Sequence, residues 1–305
     1  MIVDEARLYL KAGQGGNGGY SFLRKRGAFV GDGGRGGQGA DIVLRVNNHL
    51  YDLKQYKYKK KFIGPQGKRG GAHHKTGHNA PSLILTVPQG TLVKDSKGTV
   101  IADLDNQTQE YIIARGGNGG QGNYKREECE VGHLGETKEI TLDYRIPCDV
   151  AIVGFSNVGK TSLFNYVSGK DYKVAEYSFT TTHCAWAVCE FGFRRFTLLD
   201  TPPCQEGRGV HPEEYFFKHL FRAKIILIVT ANPQSFRQET KIIRDKLVSF
   251  DRRYRDKKTF YLLNKVDKID YDFKERGCVT ISAKRREGAQ ALIEQIIAYL
   301  YRKNA

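Results

Sequence analysis

The stretch that decides the fold is VAIVGFSNVGKTSLFNYV, Val150–Val167, in which a short apolar run leads into Gly154–Thr161 and then into a helix-like run. A strand, a tight glycine turn and a helix in this order form a phosphate-binding loop, whose backbone N–H groups and helix N-terminus face an anion. The lysine of such a loop reaches the β- and γ-phosphates, and the hydroxyl that follows it ligates magnesium. The residues predicted to bind the nucleotide here are Gly154, Asn157, Val158, Gly159, Lys160, Thr161 and Ser162.

A second motif, further along the chain, selects the base of the nucleotide. The run Asn264-Lys265-Val266-Asp267 follows the apolar strand candidate Thr259–Leu263, and a Ser-Ala-Lys run follows a later apolar segment. The Asp267 carboxylate can accept two hydrogen bonds from the N1–H and N2–H₂ edge of guanine, whereas adenine offers no matching pair of donors and would leave a charged group unpaired. The sequence therefore predicts GTP and GDP as ligands rather than ATP. The residues predicted to bind the base are Asn264, Lys265, Asp267, Ser282, Ala283 and Lys284.

Length and composition exclude several classes of protein. A chain of 305 residues is long enough for two domains that each bury a core. Its six cysteines form no Cys-x-x-Cys pair, so neither a zinc site nor a disulfide framework is indicated. No run of about 18 apolar residues occurs, and Met1 leads into an alternating strand pattern rather than a leader peptide. We expect a soluble protein without a membrane span, in the cytoplasm or in the matrix of an organelle.

Glycine divides the chain into two parts. Of its 34 glycines, 26 fall in residues 1–146, where three tracts repeat glycine with a period of three: Gly13–Gly19, Gly31–Gly39 and Gly116–Gly122. A polyproline II helix has three residues per turn, so each tract would carry glycine along two edges and pack closely against another. Collagen needs far more proline than the 8 residues present, and strand-like segments bracket every tract, unlike in a flexible linker. We predict an ordered glycine-rich β domain over residues 1–146 and a nucleotide-binding domain over residues 147–305.

Four segments resemble the Obg family of GTPases, and the resemblance covers almost the whole chain. They are MIVDEARLYLKAGQGGNGGYSF from residue 1, VPQGTLVKD from residue 87, ARGGNGGQGN from residue 114 and CDVAIVGFSNVGKTSLFNYVSGKDYKVAEYSFTTT from residue 148. The resemblance implies a mixed fold, in which a glycine-rich Obg fold of polyproline II helices on a small β-barrel precedes an α/β Ras-like P-loop GTPase domain. It also implies a role in assembling the large ribosomal subunit, with that subunit or its precursor and its rRNA as partners.

The resemblance further implies the magnesium ligands and the catalytic residues. The switch I threonine falls on Thr181, after Thr180, and the switch II aspartate falls on Asp200. The implied magnesium ligands are Thr161, Thr181 and Asp200, and the implied catalytic residues are Lys160, Thr181 and Asp200. Asn157 resembles the asparagine that recruits a potassium ion in some GTPases of this class, although such a residue can also serve only to brace its loop. Potassium is therefore a further candidate cofactor.

The sequence departs from the family in switch II and at its end. Switch II reads Asp200-Thr201-Pro202-Pro203, where the family has glycine in place of Pro203. Proline has no N–H, and that donor is the one expected to contact the γ-phosphate, so we expect weak discrimination of GTP from GDP and slow hydrolysis. Cys204 stands where a water-positioning glutamine would follow. The chain ends at Ala305 without the C-terminal extension common in bacterial members.

Charge indicates an anionic partner. The net charge is +16, of which +7 falls in residues 1–146 and +9 in residues 147–305. The densest basic run, Lys54–Lys61, interleaves lysines with tyrosines. Such a run is typical of an RNA-binding face, where cations neutralise phosphates and rings stack on bases, but also of a solvated barrel strand. His73, His74 and His78 follow in a basic loop without an acidic or cysteine partner nearby, which does not favour a metal site.

A second basic set lies on or just past a predicted helix of the nucleotide-binding domain. It is either the solvated face of that helix or a second contact with rRNA or a ribosomal protein. Its members are Arg237, Lys241, Arg244, Lys246, Arg252, Arg253, Arg255, Lys257 and Lys258.

Two functions are consistent with these observations. The first is a GTP-hydrolysing factor that acts in large-subunit assembly with slow turnover. The second is a nucleotide-binding module that binds the ribosome and rRNA but is deficient in hydrolysis. Pro203 favours the second, whereas the retention of Lys160, Thr161, Thr181 and Asp200 favours the first. We predict a monomeric GTPase with impaired turnover.

Overall fold

A computed structural model of the protein describes residues 3–25, 27–106, 109–169, 174–178, 183–205, 212–269, 271 and 273–302. The chain forms two compact units, Val3–Tyr144 and Arg145–Ala305. The sequence places the division slightly later, after Ile146. In the structure Ile146 is buried, and its N–H donates over 3.4 Å to His219 Nδ1 of the second unit. None of the helices in the described residues is long and apolar enough to cross a membrane.

The first unit consists of short strands and glycine-rich segments. Its strands, within the described residues, are β1 (Glu5–Lys11), β2 (Phe22–Lys25), β3 (Ala28–Gly31), β4 (Ile42–Val46), β5 (Lys61–Ile63), β6 (Leu83–Val87), β7 (Thr91–Asp95), β8 (Val100–Leu104), β9 (Glu110–Ala114) and β10 (Thr137–Tyr144). They form a five-stranded sheet in the order β5-β1-β10-β7-β8, a three-stranded sheet in the order β6-β4-β9 and the hairpin β2-β3. Alternate residues of β1 are buried, as a sheet with one face on a core requires.

The three glycine tracts predicted from the sequence pack against one another in a closed cycle. The first tract donates backbone hydrogen bonds to the second, the second to the third and the third to the first. These bonds include Gly16 N–H to Gly37 O (2.8 Å), Gly36 N–H to Gly120 O (2.9 Å) and Gly117 N–H to Gly13 O (2.8 Å). Within each tract the donors recur every three residues, which is the period of a polyproline II helix.

Close backbone contact explains why these positions are glycine. A Cβ built on Gly36 would lie 1.9 Å from Gly16 O, and one built on Gly37 would lie 2.1 Å from His78 O. Real Cβ atoms never approach backbone oxygens so closely, so no side chain fits at either position. The two residues meet different neighbours, which confirms the prediction of two glycine edges on one tract.

Three further segments join this bundle, and the sequence reasoning did not include them. Residues 64–71 donate to the first tract, as in Gly67 N–H to Gln14 O (2.9 Å). Residues 75–80 donate to the second tract, and residues 130–135 accept from the first. Glycine also recurs every three residues in two of them, at Gly64, Gly67 and Gly70 and at Gly132 and Gly135, but in shorter rows than in the three predicted tracts.

The second unit is a seven-stranded sheet with helices. Its elements, within the described residues, are β11 (Val150–Gly154), α1 (Lys160–Ser168), β12 (Val174–Ser178), β13 (His183–Phe191), β14 (Arg194–Asp200), β15 (Ile225–Thr230), α2 (Phe236–Phe250), β16 (Lys258–Leu263), β17 (Cys278–Thr280) and α3 (Ala289–Arg302). Short 3-10 segments lie at Pro212–Arg222, Arg252–Asp256 and Val266–Lys268. The strand order is β12-β13-β14-β11-β15-β16-β17, and every pair from β14 to β17 is parallel.

The central strands of this sheet are buried on both faces. All residues of β11 and β15 are buried, which is why both read as continuous apolar runs rather than as alternating patterns. Helix α1 packs Leu163, Phe164 and Val167 into the same core. Because β11, β14 and β16 are parallel, the loops that follow them meet at one edge of the sheet, where ligands of such folds bind. The mixed fold predicted from the sequence, with a P-loop α/β domain in second place, is confirmed.

Candidate guanine-nucleotide site

The phosphate loop joins the end of β11 to the start of α1. Gly159 precedes the helix with a φ of 91°, a left-handed conformation that glycine adopts without strain. A Cβ built there would also lie 2.3 Å from Asn264 Nδ2. The buried Lys160 ammonium donates to the carbonyl oxygens of Gly154 (3.1 Å) and Phe155 (2.8 Å) and so braces the loop.

The charge of Lys160 suits an anionic ligand. Burial is the main cause that lowers the pKa of its ammonium, and the nearby Asp200 carboxylate opposes that shift. A phosphate placed beside the ammonium would favour its charged form for the same electrostatic reason.

Thr161 and Asp200 form the part of the site that can hold magnesium. The Thr161 hydroxyl donates to Asp200 Oδ2 over 2.7 Å, and Asp200 is buried at the end of β14. The other carboxylate oxygen, Oδ1, is buried without a hydrogen-bond partner among the described residues. Burial raises the pKa of Asp200, and the Thr161 hydroxyl and the Lys160 ammonium oppose this. An orphaned carboxylate oxygen beside a hydroxyl is a pair of hard oxygen donors, so these residues fit a magnesium ion.

The base-selecting motif begins at the end of β16 and is closed by the segment that follows β17. The Ser282 hydroxyl donates to Asp267 Oδ1 over 2.7 Å, and this bond is the main cause that lowers the pKa of Asp267. The same hydroxyl oxygen accepts from the Arg285 N–H at 3.1 Å. Asp267 is therefore held as a carboxylate, which is the state that the two donors of guanine require.

Asn264 ties three loops of the site together. Its side-chain amide donates to Val158 O over 2.9 Å and accepts from the Ala283 N–H at 3.1 Å. The residue is buried, and Lys265 also donates, through its ammonium, to Asn157 O. The phosphate loop and both base loops are thus fixed relative to each other before any ligand is present, which reduces the ordering cost of binding.

The start of switch II is bound to β11 and to the phosphate loop. The Thr201 hydroxyl donates to Ile152 O over 2.6 Å, and the Cys204 N–H donates to Gly154 O over 3.0 Å. Pro203 lies exposed between these anchors, while Cys204 is buried. Sequence reasoning missed the role of Thr201, since only the tertiary approach of two strands shows which carbonyl its hydroxyl meets.

The predicted site residues are brought together with one exception. Val158 is buried under the loop, and Asn157, Thr161, Ser162 and Lys284 are exposed around it. Thr181, with Thr180, lies outside the described residues. Within the part of the chain that is described, no group of three or more His, Cys, Asp and Glu side chains is arranged to hold a metal ion.

The basic run of the first unit differs in part from the expectation. All five of its lysines are exposed, as is Tyr58, at 85%. Tyr56 is buried, however, and its hydroxyl donates to Thr86 O over 2.6 Å. The interpretation of both tyrosines as base-stacking rings is therefore wrong for Tyr56, because its ring belongs to the core beneath a short 3-10 turn, Lys54–Tyr56.

The histidine loop is held by a buried carboxylate of the glycine bundle. Asp32 is buried, and it accepts from the Ser21 hydroxyl (2.6 Å) and the His73 N–H (3.0 Å), with His73 Nδ1 3.1 Å away. His73 and His74 both have positive φ, at 56° and 57°. Asp32 thus stabilises a strained turn that presents an exposed imidazole.

A phosphate loop, a threonine and aspartate pair that fits magnesium and an ionised aspartate in the base motif, all on the parallel part of one sheet, define a GTPase of the P-loop class. Comparison with known proteins narrows this class. Residues 3–146 match the family model described as GTP1/OBG, and residues 149–265 match that of the 50S ribosome-binding GTPases.

Individual relatives extend along both units. The GTPase Obg of Sulfurihydrogenibium sp. (strain YO3AOP1) is 34% identical, with 97% of this chain and 94% of that protein covered. The GTPase Obg of Bacillus mycoides (strain KBAB4) is 33% identical, with 97% of this chain and 76% of that protein covered. Among solved structures, the G domain of the T. maritima FeoB iron transporter is 22% identical at a TM-score of 0.40, over 51% of this chain and 99% of that chain. The chain belongs to the Obg family of GTPases, which confirms the resemblance seen in the sequence.

Proposed function

We propose that the protein binds GTP and GDP with magnesium, hydrolyses GTP slowly and acts on the large ribosomal subunit or its precursor during assembly. The observation that carries nucleotide binding is the link made by Asn264 between the phosphate loop and the guanine loops. The family model for residues 149–265, described as 50S ribosome-binding GTPase, supports the ribosomal partner. We further propose that the protein acts as a monomer in the cytoplasm, or in the matrix of an organelle.

In this proposal each residue of the site has one task. Lys160 and the N–H groups of the phosphate loop bind and orient the phosphates, while Asp267 recognises the base. Thr161 and Asp200, with Thr181, would hold magnesium, which when bound neutralises charge on the phosphates. Asn264 and Thr201 position the loops. Ser282 keeps Asp267 ionised.

Slow turnover follows from switch II. Pro203 offers no N–H, and the Cys204 N–H already donates to Gly154 O, so neither backbone nitrogen is available to the γ-phosphate in this arrangement. Cys204 is buried and its thiol is a poor group for positioning water. The same observation favours a second candidate function, a ribosome-binding and rRNA-binding module that retains the nucleotide but does not hydrolyse it.

Potassium is proposed to assist through Asn157. The Lys265 ammonium donates to the backbone oxygen of Asn157 and not to its exposed side chain, so the side-chain oxygen can face an ion, although the ammonium opposes a second cation there. Equal rates of GTP hydrolysis in potassium and in sodium would contradict a role for potassium.

Single-turnover hydrolysis of GTP, with and without purified large subunits, separates the two candidate functions. A slow intrinsic rate that rises when subunits are added supports the GTPase. No hydrolysis in either condition, with GTP still bound, supports the module. A rapid intrinsic rate without subunits contradicts the proposal that Pro203 limits turnover.

A further inference from the structure

The parallel strands of the second unit define an edge opposite to the nucleotide site. Gly154 and Asp200 end β11 and β14, and Asn264 follows β16 directly, so the nucleotide loops share the carboxyl edge. The strand starts must therefore lie at the other, amino edge. There β15 begins at Ile225, which is paired in register with Lys258, the first residue of β16.

A cavity of about 420 Å³ opens at this amino edge. Four cations line it, Arg222, Lys224, Lys257 and Lys258, against the single carboxylate of Asp256. The ring of Tyr299, near the end of α3, forms part of the wall. The volume is sufficient for one phosphate with its sugar, and the lining is dominated by positive charge.

Two of the cations, Lys257 and Lys258, are held by carbonyl oxygens and by aromatic rings. The Lys257 ammonium donates to carbonyl oxygens, Phe221 O at 2.7 Å and Ala223 O. The Lys258 ammonium lies over two aromatic rings, 5.0 Å from the centroid of Phe260 and 5.8 Å from that of Tyr299. Neither kind of partner neutralises a cation as a carboxylate does.

Lys224 differs from these two lysines, since its ammonium lies 2.9 Å from Asp149 Oδ1. Burial is the main cause that lowers the pKa of Lys257, so an anion bound in the cavity would stabilise its charged form.

This arrangement differs from the rest of the basic set predicted in this domain. Arg237 forms a two-pronged ion pair with Glu275, in which Nη2 donates to Oε1 (3.0 Å) and Nε donates to Oε2 (3.2 Å). Arg244 donates to the Tyr261 hydroxyl, and Lys246 is buried. These side chains brace α2, so the set is not one surface. Arg222 and Lys224, which the sequence did not single out, belong with Lys257 and Lys258 instead.

An exposed aromatic residue stands on the same edge. Phe193 occupies the turn between β13 and β14, at the start of β14, and its side chain is fully exposed. The Tyr301 hydroxyl binds this hairpin, since it accepts from the Arg195 N–H and donates to Arg195 O. Tyr301 is two residues beyond Tyr299, so the end of α3 connects the hairpin to the cavity.

We propose that the amino edge of the second unit binds single-stranded or looped RNA, with a backbone phosphate in the cavity formed by Arg222, Lys224, Lys257 and Lys258 and a base further along the same strand on Phe193. Cations for phosphates combined with an exposed ring for a base are the features by which proteins bind unpaired RNA. An acidic protein segment could bind the cations, but it would make no specific use of the exposed Phe193 ring. The site extends the proposed ribosome association to a second contact, remote from the nucleotide.

The test is the affinity of the full chain, loaded with GDP, for a fluorescent single-stranded RNA of about a dozen nucleotides, measured by anisotropy across a series of salt concentrations. Lys258→Glu should weaken binding about fivefold or more and reduce the salt dependence of log K by about 0.7, the contribution of one phosphate of a single strand. Phe193→Ala should weaken binding about fivefold or more with an unchanged salt slope, because it removes stacking only.

Lys241→Glu is the matched control, since Lys241 is exposed on α2, away from the cavity, and the charge change is identical. Unchanged GDP affinity and melting temperature show that the variants are folded. Photo-crosslinking of a thiouridine-containing RNA to the α3 peptide that carries Tyr299 gives a second readout. Equal effects of Lys258→Glu and Lys241→Glu on RNA binding, or no effect of Lys258→Glu, overturn the inference. It is also overturned if Lys258→Glu weakens the binding of an acidic peptide but not that of RNA.

The proposed function can fail separately. If Lys258→Glu weakens RNA binding but the unmodified chain does not bind large subunits, the RNA site stands and the proposed ribosomal role is wrong. If the unmodified chain binds large subunits but Lys258→Glu leaves RNA binding unchanged, the ribosomal role stands and the RNA site is wrong.

Discussion

At the scale of single residues, the site depends on a few polar contacts whose partners are distant in sequence. The sequence identified Asp267 and Lys160, because each belongs to a short motif with a fixed spacing. It did not indicate that Asn264 would bridge Val158 and Ala283, since that role arises because the parallel strands β11 and β16, on either side of β15, end at the same edge of the sheet. For Tyr56 the sequence predicted an exposed ring that is in fact buried, because alternation with lysines does not reveal which ring belongs to the core.

Asp267→Asn should abolish the preference for guanine nucleotides and favour xanthine nucleotides. The amide can donate where the carboxylate only accepts, so it no longer matches the two donors of guanine but matches the acceptor that xanthine presents. Isothermal titration calorimetry with GDP, XDP and ADP measures the change. If the unmodified protein binds ADP as tightly as GDP, guanine selection by Asp267 is wrong.

Pro203→Gly should increase the difference between GTP and GDP affinities by restoring one backbone donor. A hydrogen bond to a charged group contributes about 1.5–3 kcal/mol, so the ratio of affinities should change about tenfold or more. Pro202→Gly, one residue earlier, is the matched control and should leave the ratio nearly unchanged. Titration with GDP and a non-hydrolysable GTP analogue measures both. An equal change in the two variants would mean that loop flexibility, and not the donor, is responsible.

At the scale of elements, periodicity was a reliable guide where one physical cause sets it. The apolar run of β11 results from burial on both faces of the strand, and the glycine tracts result from backbone contact at every third residue. The segments 64–71 and 130–135 also repeat glycine every third residue, since a Cβ on Gly67 would lie 2.1 Å from Gly37 O and one on Gly132 would lie 1.8 Å from Gly15 O. Their shorter rows do not show which tract each segment contacts, because that pairing is visible only in three dimensions.

Gly36→Ala should destabilise the first unit, because the new Cβ would lie 1.9 Å from Gly16 O. Overpacking of this kind costs about 1–3 kcal/mol or more. Gly71→Ala is the control, since its Cβ would lie at an ordinary 3.5 Å from Lys75 Cβ. Thermal unfolding followed by circular dichroism should show a clear loss for Gly36→Ala and little for Gly71→Ala. Similar midpoints for both variants would contradict a tightly packed bundle.

At the scale of the whole molecule, both units carry excess positive charge, and each presents it on exposed side chains. The first unit does so through Lys54–Lys61 and the second through the cavity at its amino edge. The sign and size of this charge were evident from the sequence. The sequence did not show which cations are available to a partner, because Arg237, although exposed, is paired with Glu275, and Lys246 is buried.

The most direct test of the account is the binding of the full chain to purified large ribosomal subunits, measured by sedimentation with GDP, a non-hydrolysable GTP analogue or ATP. We predict tighter binding with the GTP analogue than with GDP, by a small factor because Pro203 weakens sensing at switch II, and no response to ATP. Affinity should fall steeply, by about tenfold or more, as salt rises from about 50 to about 200 mM, because the contacts are largely to phosphates. Absence of binding in every nucleotide state at the lower salt concentration would contradict the account.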